Sequence, residues 1–199
     1  LQNLLQSLLM LTKKQLRRSF LRTRQSLEPD VWQAQSQDLC QHLIQLVQFQ
    51  QAQTVLAYFS LRQEPDLTPL FALAKTWGFP RCIGQSLSWH QWAPGESLEV
   101  DAYGITVPLA QAPGISVEAV DLILVPGVAC DRQGYRLGYG GGFYDRLFTQ
   151  PQWQGKRTIA IVFEFAYVES LPHNAWDQPL QGVCTDQGFR DSLPAIEKT

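Results

Sequence analysis

The sequence predicts an α/β domain built around a largely parallel sheet, and three observations carry that prediction. Apolar, β-rich runs recur along the chain: TVLAYFS at 54–60, the first half of DLILVPGVAC at 121–130, and RTIAIVF at 157–163. Runs this short and apolar throughout suit strands buried on both faces. Stretches with helical periodicity alternate with them, as crossover connections require. Finally, the strand at 121–125 leads into a glycine-rich loop and then a helical turn, an order common where a sheet presents a ligand site.

The elements follow in order. Residues 1–11 are apolar but too short to span a membrane, and they lack the basic start of a signal peptide, so they read as an N-terminal extension. Thr12 is placed to cap a helix over 13–27, which Glu28-Pro29-Asp30 ends. Leu16, Phe20 and Leu27 form its apolar stripe, and Lys13, Lys14, Arg17, Arg18, Arg22 and Arg24 make it the most cationic segment. Asp30 opens a second helix over 31–50, and 54–60 is a strand. After the turn LRQEPD, with Glu64 just past the strand, a helix is expected over 67–77. Two short strands follow at 80–84 and 86–92, the second carrying Trp89, His90 and Trp92, and then a loop to 108 and a connector over 109–120. The strand at 121–125, a helix from Phe143 to Phe148, the strand at 157–163, a helical or irregular piece over 164–170 and a last short strand at 182–185 complete the domain. A single domain over 12–190 and a polar tail over 191–199 are the result.

Five of the chain's 14 glycines fall within nine residues, at 134, 138, 140, 141 and 142. Arg136, Tyr139, Phe143, Tyr144, Asp145 and Arg146 lie between and after them, supplying groups for phosphate, for a flat ring and for a cation. The loop is not a Walker A sequence, and its G-x-G fails the dinucleotide pattern at the third glycine. The net charge of −2 offers no global field for nucleic acid or an acidic membrane, so an anion must be met locally. Four widely spaced cysteines and three histidines make no zinc pattern, and the cysteines read as reduced thiols of a cytoplasmic protein. There is no nucleophile–base motif. A glycine-rich anion loop, a basic helix and the two carboxylates Asp145 and Asp177 suit phosphoryl transfer from a nucleotide.

The stretch VPGVACDRQGYRLGYGGGFYDR resembles the signature of the 5-formyltetrahydrofolate cyclo-ligase family. Four further segments fit in order: Lys13-x-x-Leu16-Arg17, Glu64-Pro65-Asp66-Leu67-Thr68, Tyr103-Gly104-Ile105-x-x-Pro108 and Leu171-Pro172-His173-x-x-x-Asp177. The resemblance implies a Rossmann-like α/β sandwich and an ATP- and Mg²⁺-dependent ligase of one-carbon metabolism. Such an enzyme closes 5-formyltetrahydrofolate to 5,10-methenyltetrahydrofolate through an N5-iminium phosphate and releases ADP and phosphate. Carried over by position, it implies ATP contacts from Lys13, Arg17, Arg136, Leu137, Gly138, Tyr139, Gly140, Gly141, Gly142, Phe143 and Tyr144. It further implies substrate contacts from Glu64, Tyr139, Gly140, Gly141, Gly142 and Phe143, Mg²⁺ ligands at Asp145 and Asp177, and charge stabilisation by Arg136. No protein nucleophile is implied, because both nucleophiles belong to the substrate. Partners beyond the two substrates, nucleic acid and membrane among them, are not expected, and a monomer is. The sequence departs from many relatives at Phe143 (Tyr), Tyr139 (Arg in some), Gly141 (Lys in some) and Val107 (often Glu); the changes at Tyr139 and Gly141 are common in bacterial-type members. A folate-binding paralogue without turnover and, by analogy of sheet alone, a sugar-phosphate isomerase-like enzyme are the rival readings.

Overall fold

Every side chain from Leu122 to Val125 is fully buried, and alternate residues belong to different cores. Ile123 and Val125 pack on one face of the sheet and Leu122 and Leu124 on the other. The strand starting at Arg157 repeats the pattern, with Ala160 facing the first core and Ile159 and Ile161 the second. This is the period-two consequence of a sheet covered on both sides, and each such aliphatic burial contributes ~1.5–3 kcal/mol.

The structure, a computed structural model, describes residues 12–192. The extension expected over 1–11, and residues 193–199 of the expected tail, lie outside them. Three helices come first: α1 (Lys13–Gln25), α2 (Pro29–Gln45) and α3 (Val47–Gln51). Strands β1 (Thr54–Leu56), β2 (Thr76–Ile83), β3 (Ser86–Gln91), β4 (Leu98–Val100), β5 (Thr106–Pro108), β6 (Leu122–Pro126), β7 (Ala129–Asp131) and β8 (Arg136–Leu137) follow. Helix α4 (Phe143–Phe148), then β9 (Arg157–Ile161), β10 (Tyr167–Val168), β11 (Gly182–Thr185) and β12 (Gly188–Asp191) complete the order.

Seven strands form the central sheet in the order β12-β11-β9-β6-β1-β2-β3. The inner pairs β11–β9, β9–β6, β6–β1 and β1–β2 are parallel, and the two edge strands join antiparallel. Leu16 of α1 and Leu147 and Phe148 of α4 pack into the first core; Leu39 and Leu43 of α2 and Phe49 of α3 pack into the second. The predicted sandwich with a largely parallel sheet is therefore present.

Four expectations need correction. The chain over 67–77 is not a helix: only Thr68–Leu70 turns, as one 3-10 turn, and β2 begins at Thr76. Its alanine- and leucine-rich composition favours helix, but Thr76, Trp77 and Gly78 pair with β1, and Leu67, Leu70, Phe71 and Trp77 are all buried. Tertiary burial overrides propensity here. The helix expected over 31–50 breaks at Leu46, which is extended. Residue 191 of the expected tail lies in β12, paired through Asp191 with Gly182. The strand expected to run to residue 60 leaves the sheet ladder after Leu56.

The two tryptophans of the 86–92 segment serve the cores. Trp89 packs near Tyr144 and Trp153, and Trp92 joins an edge-on cluster with Phe59, Phe71 and Phe79. His90 is held by the Ala112 carbonyl and the Ser88 hydroxyl, a structural role. The four cysteines are free, and burial pushes the Cys40 and Cys184 thiols up to about 12, which leaves them inert.

Candidate active site

Helix α1 starts on a capping box. The Thr12 hydroxyl accepts from the Gln15 amide at 3.3 Å and the Gln15 side chain accepts from the Thr12 amide at 2.9 Å. Lys13, Arg17 and Arg24 stand four and eleven residues apart, so at about 100° per residue they lie within roughly 40° of one helical face. That face points to the loops at the carboxyl ends of the parallel strands, where open α/β sheets bind ligands. Lys13 pairs with Asp177, the Arg17 Nε donates to the Gly138 carbonyl at 2.6 Å, and Arg24 reaches the loops after β1 and β6.

Between β6 and α4 the chain makes a hairpin that the sequence reading did not anticipate: β8 pairs antiparallel with β7. Asp131, fully buried, shapes its turn. Its Oδ1 accepts from the Gln133 and Tyr135 amides and its Oδ2 from the Leu171 amide. At Gly134 φ is +86°, and a Cβ would stand 2.1 Å from the Leu180 carbonyl oxygen, so only glycine fits. The loop then passes Gly138–Gly141 and enters α4 through Gly142, left-handed at φ 67°.

Arg136 is held beneath this loop, its side chain 5% exposed. Its Nη2 donates to Asp145 Oδ1 at 2.9 Å and its guanidinium lies 5.2 Å from the centre of the Tyr144 ring. The Arg136 Nε and the Tyr144 hydroxyl are both buried without a partner, two donors left for something other than this chain's described residues. Leu137 is buried, so only its backbone is available to a ligand. Tyr139 is exposed, and Phe143 lies edge-on to Tyr103 with the Arg146 guanidinium 5.0 Å above its ring. Val107 is buried and apolar in β5.

The two carboxylates expected for a metal are both ion-paired, Asp145 to Arg136 and Asp177 to Lys13. Burial pushes Asp177 up, but Lys13 and the Asn174 amide outweigh it and hold the carboxyl below the usual range. Arg136 lowers it further, which puts Asp177 within electrostatic reach of the Arg136–Asp145 pair. Among the described residues, Asp145 Oδ2 and Asp177 Oδ1 accept no hydrogen bond. No three metal-ligating side chains cluster among those residues. Mg²⁺ keeps most of its water and takes only one or two carboxylates, so this donor set fits it.

Glu64 follows β1 through a left-handed turn at Arg62 (φ 51°) and Gln63 (φ 57°), uncommon for non-glycine residues. Its backbone carbonyl is fixed by Trp32 Nε1 at 2.9 Å and the Ser60 hydroxyl at 2.7 Å. Glu64 is 3% exposed; Oε2 accepts from the Leu61 amide, and Oε1 is buried with no partner among the described residues. Burial pushes this carboxyl up to about 7; the nearby Arg24 guanidinium is the chief influence in the opposite direction, followed by the Leu61 amide and by the Tyr139 hydroxyl, which stands near Glu64 without a hydrogen bond to Oε1. The Tyr139 hydroxyl accepts from Arg24 and donates toward the Leu61 carbonyl, so the glycine-rich loop and the Glu64 loop meet there.

The predicted site residues are thus gathered at one end of the sheet in two groups. Lys13, Arg17, Arg136, Asp145 and Asp177 surround the glycine-rich loop; Glu64 and Tyr139 lie at its other side. Arg24 and Asp131 were not singled out in the sequence. The helical spacing from Lys13 and Arg17 is the signal that points to Arg24; nothing local points to Asp131.

The family model of the 5-formyltetrahydrofolate cyclo-ligase family matches residues 10–186. A 5-formyltetrahydrofolate cyclo-ligase of Mycolicibacterium smegmatis is 30% identical over 87% of this chain and 93% of its own length. One from Haemophilus influenzae is 28% identical over 84% of this chain and 94% of its own. The solved structure of 5,10-methenyltetrahydrofolate synthetase from Aquifex aeolicus superposes with a TM-score of 0.81 at 32% identity, covering 95% of this chain and 97% of that one.

Proposed function

The chain belongs to the 5-formyltetrahydrofolate cyclo-ligase family, and on that premise we propose that it closes 5-formyltetrahydrofolate to 5,10-methenyltetrahydrofolate while cleaving ATP to ADP and phosphate. The observation that carries this reading is the meeting of two unlike half-sites on one helix. A cationic loop with unpartnered donors suits a triphosphate, and a buried carboxylate with a free oxygen suits the donor-rich edge of a pterin.

In this reading Lys13, Arg17 and the loop Arg136–Tyr144 hold the triphosphate, with Arg136 facing the γ-phosphate. Asp145 and Asp177 hold Mg²⁺, which when bound neutralises phosphate charge. Glu64 receives the pterin, and Tyr139 and Phe143 cover the folate side. The formyl oxygen attacks the γ-phosphorus and ADP leaves. N10 then attacks the formyl carbon, loses its proton, and phosphate departs as the ring closes. Both nucleophiles are on the substrate, so the protein's share is orientation and charge.

The absorbance of methenyltetrahydrofolate in the near ultraviolet tests this. Purified protein with Mg-ATP and 5-formyltetrahydrofolate is expected to give an ATP-dependent rise with stoichiometric ADP. Tight folate binding without ADP release would instead support a non-catalytic paralogue.

A further inference from the structure

We propose that Arg24 is a positioning residue for the folate half of the site: its guanidinium ties the glycine-rich loop to the turn that aims Glu64. This rests on the cyclo-ligase reading above.

Arg24 is 3% exposed, and its donors reach three separate segments. Nε donates to the Arg62 carbonyl at 3.0 Å, Nη1 to the Gly127 carbonyl at 3.1 Å, and Nη2 to the Leu61 carbonyl at 3.5 Å and to the Tyr139 hydroxyl. Two of these carbonyls flank the start of the left-handed turn before Glu64. Gly127 connects β6 to β7, and Tyr139 is the tip of the glycine-rich loop. Among the described residues Arg24 makes no ion pair. A buried guanidinium given only neutral acceptors is unusual, since an uncompensated buried charge is costly. The counter-charge within its reach is Glu64, which it does not touch but whose proton affinity it lowers. Arginine spreads five donors over three nitrogens and so spans acceptors on separate segments; a lysine ammonium, with three donors on one nitrogen, cannot reach them all.

The groups facing Glu64 come from every neighbouring element. Arg24 is contributed by α1, Arg62 by its own turn, Tyr139 by the glycine-rich loop, Tyr58 by the segment after β1 and Tyr144 by α4. Burial and Glu64 both push the Tyr58 hydroxyl up, so it stays neutral, and Tyr144 likewise. Arg24 and Arg62 are then the cations that favour the charged form of Glu64. Arg24 is the buried one of the pair.

The test is steady-state kinetics of wild type, Arg24→Leu and Arg24→Lys across the acid side of the pH profile, with thermal melts to confirm folding. In Arg24→Leu the KM for 5-formyltetrahydrofolate is expected to rise about tenfold or more, with KM for ATP changed less than about threefold. The acid limb of kcat/KM for folate should move up by about one pH unit or more, because burial then acts on Glu64 with less opposition. Arg24→Lys keeps the charge, so its limb stays near that of wild type while KM for folate still rises severalfold. A folded Arg24→Leu with an unmoved limb, or with both KM values raised alike, overturns the proposal. If Arg24→Leu does not fold, a wild-type KM for folate in Arg24→Lys overturns it. A wild type without any ATP-dependent absorbance rise would instead defeat the cyclo-ligase reading itself, before the variants are compared.

Discussion

Two glutamates stand just past parallel strands of the same sheet, and their surroundings differ sharply. Glu164 follows β9. Arg190 grips both of its oxygens, at 2.9 and 3.0 Å, and the Thr185 hydroxyl donates to Oε2 at 2.5 Å. That pair is about one-third exposed, 37% for Arg190 and 36% for Glu164, and it ties edge strand β12 to the segment after β9. Glu64 follows β1, is almost fully buried, and keeps one oxygen without a partner among the described residues while the buried Arg24 bonds elsewhere. A satisfied carboxylate at a strand end needs no ligand to explain it. A buried one left half-satisfied carries a cost that a bound pterin can relieve.

The sharpest way to break this contrast is the same substitution at both places. Glu64→Gln is expected to lower kcat/KM for 5-formyltetrahydrofolate about 100-fold, the scale of a lost charged hydrogen bond in a closed site. Glu164→Gln should change it by less than about threefold and lower stability by about 1 kcal/mol or less, as exposed pairs do. Asp145→Ala is expected to reduce turnover by some tens of fold and raise the Mg²⁺ requirement; unchanged turnover at every Mg²⁺ level would remove Asp145 from the metal site. Lys13→Ala should raise the KM for ATP about tenfold and leave that for folate nearly constant, placing it in the other half-site.

A further effect is on stability. The Glu64 carboxyl has an ordinary value of 4.5 and about 7 when folded. Below 4.5 both states hold the proton and pH has no effect through this group. Between 4.5 and about 7 the unfolded chain has lost its proton and the folded one keeps it, so stability falls as pH rises, by at most ~1.4 kcal/mol per unit. Above that window the loss is complete and constant. Glu64→Gln removes it, so the melting temperature of the variant should gain on wild type from pH 4.5 to about 7. Parallel melting curves would show that Glu64 is not held in its protonated form.

The sheet was legible because doubly buried strands leave apolar runs that nothing else in the chain imitates. The glycine-rich loop was legible because close approach and left-handed backbone demand glycine, as at Gly134 and Gly142. The crossover at 67–77 was not, because its helix-favouring residues are used to fill a core around Trp77 rather than to build a helix. Edge strand β12 was hidden by polar composition, since GFRD is partly exposed on an edge. Glu64 could be found by its place after a strand, but its burial and free oxygen could not. They depend on Arg24, Trp32 and Tyr139, brought from sites 32 to 75 residues away in sequence. Arg24 itself looked like one more cation on a basic helix until its acceptors were visible.

The most direct test of the two-half-site account is the ATP-dependent rise of methenyltetrahydrofolate absorbance in wild type, Glu164→Gln and Glu64→Gln under identical conditions. The account predicts comparable rises in the first two and a nearly flat trace in the third. A Glu64→Gln trace as steep as that of Glu164→Gln would contradict it.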